Sequence, residues 1–233
     1  LSLRFQGVIQ RAAEKRNRPV VILIDEYDKP MLQAIGNEPL LNDYRNTLKA
    51  FYGVMKSCDK YIQFALLTGV TKFSKVSVFS DLNNLMDISI DNRFANICGI
   101  TEKELLCNFK EDIVELGQKN GMTEEETKDY LKEMYDGYHF VEYGDDIYNP
   151  FSLLNTFAKM KFGSYWFKTG TPTFLVELLK HSEYDLHRLT EEMTSADSLG
   201  GIDTMYSNPI PILYQSGYLT IKGYDKEFQV YYL

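Results

Sequence analysis

The sequence predicts an α/β fold: part of a parallel sheet, then a helical bundle, then a short helix with a two-stranded end. Three observations lead there. Two apolar runs, 19–24 and 61–67, the second interrupted only at Gln63, flank an amphipathic stretch, and each stops abruptly on polar residues. The middle of the chain carries three helix-start signatures, and the last thirty residues return to short apolar runs punctuated by Gly217 and Gly223. With 233 residues, 44% hydrophobic and 14% aromatic, the chain has enough apolar surface for one large domain or two small ones.

Taken in order, residues 3–16 place Leu3, Val8, Ile9, Ala12 and Ala13 near one helical face, and Asn17 with Pro19 ends the segment. The run 19–24 has no alternation, which predicts a central parallel strand covered on both faces. It ends at Asp25-Glu26-Tyr27-Asp28-Lys29-Pro30, where four charged positions in six mark the strand's carboxyl end. A helix over 41–57 follows, with Leu41, Tyr44, Leu48, Phe51, Tyr52 and Met55 at three- and four-residue spacing. The second strand, 61–67, ends at Thr68-Gly69. Strand, helix, strand predicts a right-handed crossover, with both polar strand ends at one edge, where open α/β sheets bind ligands.

Residues 74–84 read as a polar loop, and 101–189 as mostly helical. Thr101 with Glu104 and Thr123 with Glu126 are capping boxes, and Asn149-Pro150 gives a cap with Pro at the first helical position. At the end, helical spacing over 210–218 stops at Gly217, and 218–221 turns at Gly223 into 228–232, the order in which a winged helix finishes. The expected division is therefore 1–98 as sheet core, 99–200 as helical lid or bundle and 201–233 as a winged-helix-like end.

Composition narrows the function classes. The 25 basic and 33 acidic residues give a net charge of −8, which works against a broad grip on nucleic acid while leaving room for a local basic patch. Cys58, Cys98 and Cys107 have neither a C-x-x-C pair nor a His at ligand spacing, so they read as reduced thiols. No run approaches the roughly 18 apolar residues of a membrane span, and the N-terminus lacks signal-peptide order, so a cytoplasmic protein without a membrane partner is expected. The chain starts without Met inside a predicted helix and ends on the apolar Val230-Tyr231-Tyr232-Leu233, so its edges are expected not to be natural domain edges.

The sharpest chemical signal is an apolar strand followed by Asp25-Glu26, the Walker B pattern of ASCE (AAA-like) P-loop NTPases. An Asp at a strand tip can hold Mg²⁺, commonly through water, and the ion neutralises charge on the β- and γ-phosphates of ATP. The adjacent Glu26 can polarise the attacking water. An apolar strand ending in acids also fits a plain cap or a solvated turn. Thr68, at the end of the next strand, stands where such ATPases place a polar sensor, and a β-branched residue closing a strand is the plainer reading. Lys72 and Lys75 read as solvated loop charges, and Arg93 is the remaining candidate cation for a transition state. Tyr27, Asp28 and Lys29 read as fixing the turn and its exit. No G-x-x-x-x-G-K-[ST] occurs, so nothing in the sequence would cradle phosphates, and the chain alone is expected to bind ATP poorly. His139, His181 and His187 lack metal-pair spacing and read as surface residues, and 134–140, aromatic without basic interleaving, reads as a packing turn between helices.

VVILIDEYDKPM (20–31), LTGVTKFSKVSVFSDLNNL (67–85), YDGYHF (135–140), YNPFSLL (148–154) and YWFKTGTPTFL (165–175) together resemble the AAA-ATPase-like domain of a large family of bacterial ATP-binding proteins. The resemblance implies a parent protein about twice as long, with an N-terminal P-loop of the form P-R-R-F-G-K-T and a C-terminal domain like the PD-(D/E)XK nucleases. This chain carries neither segment. The resemblance further implies Asp25 as the Mg²⁺-associated acid, Glu26 as the catalytic acid and Thr68 as the sensor-like residue.

The leading expectation is an ATP-hydrolysing module that couples nucleotide state to an effector domain or a nucleic-acid partner, with oligomerisation possible. The alternative is a non-catalytic winged-helix module that binds DNA or protein around a degenerate ATPase core. A nuclease fragment ranks last, because Asp28 and Lys29 lack a partner strand bearing a second acid and Lys.

Overall fold

In the computed structural model of the chain, the described residues are 1–72, 79, 82, 84–166, 175–176, 179–180, 193–199 and 208–233. Most of the 74–84 loop, Lys75, His181, His187 and most of 165–189 lie outside them. The chain forms two compact units. The first comprises Leu1–Met86, Glu177–Tyr184 and Asp197–Ser216, and the second Asp87–Val176, Asp185–Ala196 and Gly217–Leu233.

The first unit opens with α1 (Ser2–Arg16), which ends where Asn17 takes a left-handed conformation at φ 49°. The chain then enters β1 (Val20–Ile24), passes a short α2 (Lys29–Gln33) and forms α3 (Glu38–Tyr52) and α4 (Val54–Ser57) before β2 (Ile62–Leu67). β1 and β2 pair in parallel, as expected from their apolar runs, with Gln63 the extra residue where the register shifts. The predicted 41–57 helix is therefore two helices. The first starts three residues early, because the Asn37 side chain accepts a hydrogen bond from the Leu40 N–H and Pro39 suits the first turn.

α1 packs on β1, and α3 and α4 pack on α1. Ile9, Ala13, Ile22, Leu41, Tyr52, Val54, Met55 and Cys58 are buried in this unit. The expectation of a strand covered on both faces is corrected here. Val21, Leu23 and Phe64 are 57%, 70% and 53% exposed, whereas Ile22 is buried. An unbroken apolar run records what each face could accept, not what this length of chain supplies.

The second unit is built on α5 (Glu102–Asn108), α6 (Lys110–Asn120), α7 (Glu124–Tyr135) and α8 (Pro150–Lys159). Both capping boxes form in full: Thr101 and Thr123 each accept the N–H of the Glu three residues on, and that Glu's carboxylate accepts the Thr N–H. Asn149 caps α8 by accepting the Ser152 N–H. Leu105, Ile113, Leu116, Leu131, Tyr135, Tyr148, Leu153 and Phe157 make one core. The stretch 134–140 is a packing turn, with the Tyr135 hydroxyl accepting from Thr156 Oγ1 (2.7 Å) and the Gly163 N–H (2.9 Å). His139 is partly buried rather than fully on the surface: its ring, 18% exposed, sits 3.0 Å from Asp146 Oδ1.

Two strand pairings went unpredicted because they are so short. β3 (Ile100–Thr101) meets β4 (Ile147–Tyr148), and β5 (Met193–Ser195) joins a three-stranded antiparallel sheet in the order β5-β7-β6 with β6 (Gly223–Asp225) and β7 (Val230–Tyr232). Ahead of β5's sheet partners come α9 (Ala196–Leu199) and α10 (Ile210–Gln215).

The expected strand over 218–221 is replaced by β6. The backbone of His139 captures that stretch: its N–H donates to Thr220 Oγ1, and its carbonyl accepts from the Thr220 hydroxyl and the Ile221 N–H. The turn moves to 226–229, where Asp225 Oδ1 accepts the N–H groups of Glu227 and Phe228. α10 belongs to the first unit and both hairpin strands to the second. Among the described residues no helix is long and apolar enough to cross a membrane.

Leu131 is fully buried and Leu106 is 40% exposed. Leu131→Ala should cost about 2–5 kcal/mol in urea unfolding followed by helical circular dichroism. Leu106→Ala should cost less than about 1 kcal/mol in the same assay.

Candidate functional site at the carboxyl edge of the parallel strands

Parallel pairing brings the ends of β1 and β2 to the same edge, and their side chains meet there. The Thr68 hydroxyl donates to Asp25 Oδ1 at 2.6 Å, and the same oxygen accepts the Glu26 N–H at 2.9 Å. The Thr68 N–H donates to the Ile24 carbonyl, and the Thr68 carbonyl accepts the Tyr27 N–H, at 2.8 and 2.9 Å. Asp25 is exposed, and among the described residues it is hydrogen-bonded only through Oδ1.

Glu26 turns the chain at this point with φ 52°. A left-handed backbone at an L-residue costs about 1–2 kcal/mol, and only a neighbourhood that fixes the turn can hold it. Its carboxylate pairs with Lys29 Nζ at 2.6 Å on an exposed surface. That hydrogen bond, with the charge of Glu26, raises the Lys29 ammonium above its usual range.

Asp28 supplies the fixing. It is fully buried, and its carboxylate accepts the Val70 N–H through Oδ1 (3.2 Å) and the Thr71 N–H and hydroxyl through Oδ2 (2.6 and 2.7 Å). The Tyr27 hydroxyl donates to the Thr71 carbonyl at 2.8 Å. Gly69 is required by close approach, since a Cβ there would lie 2.5 Å from Asp28 Oδ1 and 2.7 Å from the Tyr27 ring. The reading of Tyr27 and Asp28 as residues that fix the turn therefore stands. What the sequence did not reveal is that they do so by gripping the loop after the other strand.

Arg93 lies in the second unit, where its guanidinium engages Asp91 at 2.6–3.1 Å. The side-chain and backbone hydrogen bonds from Arg93 hold the Asp91 carboxyl at about 2. Lys72 donates its backbone N–H to Gln215 Oε1.

A divalent cation can be tested against these donors. Among the described residues no group of three or more His, Cys, Asp or Glu side chains could hold a metal ion. One exposed carboxylate with an oxygen to spare fits Mg²⁺ in its usual form, bound mostly by water and phosphate, and does not fit an all-protein cage.

The fold and site define an α/β unit with paired acids and a hydroxyl at the carboxyl edge of parallel strands. The family described as "Predicted AAA-ATPase" (AAA-ATPase-like) matches residues 1–79, the segment that carries Asp25, Glu26 and Thr68. A protein of Azotobacter chroococcum mcd 1, described as "Uncharacterized protein in vnfD 5'region", is 38% identical over 218 residues, which cover 94% of this chain and 40% of that protein. The chain thus spans well under half the length of that relative. No solved structure matches.

Two outcomes follow from this geometry. Asp28→Asn turns an amide N–H toward the Val70 N–H and should cost about 1–3 kcal/mol in chemical denaturation, the penalty for a buried donor left facing a donor. Arg93→Ala should return Asp91 from about 2 toward 3.8 in a carboxyl NMR titration. Because Asp91 is depressed in the folded chain, its contribution is present above the ordinary carboxylate range and lost as pH falls through about 2. The variant should move that loss to higher pH.

Proposed function

We propose that this chain is the acid-bearing part of a Mg²⁺-dependent ATPase of P-loop type, within a longer protein that supplies the phosphate-binding loop. The observation that carries the reading is the meeting of Asp25 and Thr68 at one sheet edge, 2.6 Å apart, with Glu26 beside them. Family similarity over 1–79 supports it.

In this reading each residue has a separate task. Asp25 keeps Oδ1 on Thr68 and the Glu26 N–H, which fixes the carboxylate plane and turns its other oxygen outward to hold Mg²⁺ through water. The ion, when bound with ATP, supplies charge neutralisation at the β- and γ-phosphates. Glu26 accepts a hydrogen bond from the attacking water and orients it. Its pairing with Lys29 is exposed and contributes little, so the carboxylate can leave it. Thr68 acts through Asp25 and so positions it. The module then couples nucleotide state to an effector domain or a nucleic-acid partner.

Calorimetry with Mg²⁺-ATP on this chain and on a version extended upstream through a P-loop tests the proposal. Binding by the extended form alone is the expected result, and binding by neither sinks the reading. In the extended form Glu26→Gln should abolish turnover and leave the affinity for Mg²⁺-ATP within about threefold, as expected for a group used in the chemical step. Unchanged hydrolysis removes Glu26 from the mechanism.

A further inference from the structure

The turn over 134–140 ties several parts of the second unit together. Tyr138 and Ile147 exchange backbone hydrogen bonds at 3.3 and 3.0 Å, and the Asn149 N–H donates to the Tyr135 carbonyl at 2.9 Å. His139 holds Thr220 and Ile221 through its backbone and meets Asp146 through its ring. Whatever secures this turn therefore secures both β4 and the 218–221 stretch.

Asp136 opens the turn in a place that suits a neutral side chain better than a charged one. It is the C-cap of α7, where the helix dipole presents its negative end. Its Oδ1 is buried and has no hydrogen-bond partner among the described residues. A carboxylate oxygen shut off from water without a donor is costly, and a proton on the carboxyl removes the charge that makes it so.

The groups around Asp136 act in the same direction. Burial raises its carboxyl above the ordinary range, a backbone hydrogen bond from Gly137 opposes the rise, and the charges of Asp146 and Glu102 add to it against that of Lys132. Lys132 also faces Glu102 at 3.6 Å, and both side chains are more than half exposed, so its charge is well screened. The buried Tyr148 phenol on β4 feels the same surroundings: burial, then the charges of Asp136 and Glu102, push its hydroxyl well above its usual range.

We propose that Asp136 is a proton-operated latch of the second unit. With a proton from solvent on its carboxyl, the turn stays closed on β4 and keeps its grip on 218–221. With the carboxylate charged, the pairing of 135–138 with 147–149 opens more readily. Because Asp136 is raised in the folded chain, its contribution is present below the ordinary carboxylate range and lost as pH rises through the raised value, the reverse of Asp91. The latch is independent of the nucleotide reading of Asp25 and Glu26.

Amide hydrogen exchange of this chain, corrected for the intrinsic effect of pH on exchange, tests the latch by comparing wild type with Asp136→Asn. The Asn amide stands in for the protonated carboxyl, and His139 and Asp146 are present in both proteins, so the ratio of their protection isolates Asp136. At about pH 4 the Tyr138, Ile147 and Ile221 amides should be protected almost equally in the two, and toward about pH 7 wild type should fall behind by about threefold or more, since a carboxyl raised by one pH unit on folding gives tenfold. A ratio that stays constant across this range, or a variant less protected than wild type at neutral pH, overturns the latch. If melting curves show that Asp136→Asn does not fold, carboxyl NMR titration of wild type decides: a midpoint for Asp136 above 3.8 supports the latch, and one at or below 3.8 overturns it.

Discussion

The buried carboxylate of Asp28 is the constraint on which the carboxyl edge of the parallel strands depends. A charge without solvent is costly unless hydrogen bonds replace its hydration, and each of its partners here is a neutral donor lying 42 or 43 positions further along the chain. Satisfying Asp28 therefore requires the Asp25–Asp28 turn and the loop after β2 to fold as one piece. Once they do, Thr68 has little choice but to face Asp25, and Tyr27 is held from its backbone N–H to its hydroxyl. Tyr52 and Phe79 close over Tyr27, with ring centroids 4.8 and 5.4 Å from Phe79 to Tyr27 and Tyr52. Burial, with the Asp28 charge as a second cause, pushes the Tyr52 hydroxyl above its usual range.

The second unit solves a different problem. Its helices are specified locally, by caps that reach only three residues, and its core is filled by side chains at helical spacing. Tyr135 links this core to polar chemistry by giving one hydroxyl three bonds, two accepted and one donated to the Gly163 carbonyl at 3.2 Å.

What the sequence disclosed divides along the same line. Caps, apolar runs and strand-end acids act over a few residues, so the helix starts at Thr101, Thr123 and Asn149, the parallel strands and the Asp25-Glu26 turn were readable. Features that depend on partners far away were not. Nothing near Gln215 announces that its amide will meet Lys72, 143 positions earlier. The 218–221 stretch has strand-like residues, but His139 takes its hydrogen bonds, and no local pattern reports that competition. Strands of two or three residues carry too few side chains to show a period. At the strand edge, the positions of Asp25, Glu26 and Thr68 at the strand ends were legible, and the grip of Asp28 on the second loop was not.

The left-handed backbone at Glu26 separates two kinds of fitness at one position. Glycine or asparagine would satisfy the turn at φ 52° with less strain than glutamate. On the proposed role of Glu26, lineages released from catalysis should drift toward Gly or Asn at position 26 while keeping Asp28, whose carboxylate holds the loop after β2. A family tree would then record the retirement of an activity in a single column, with the scaffold preserved around it.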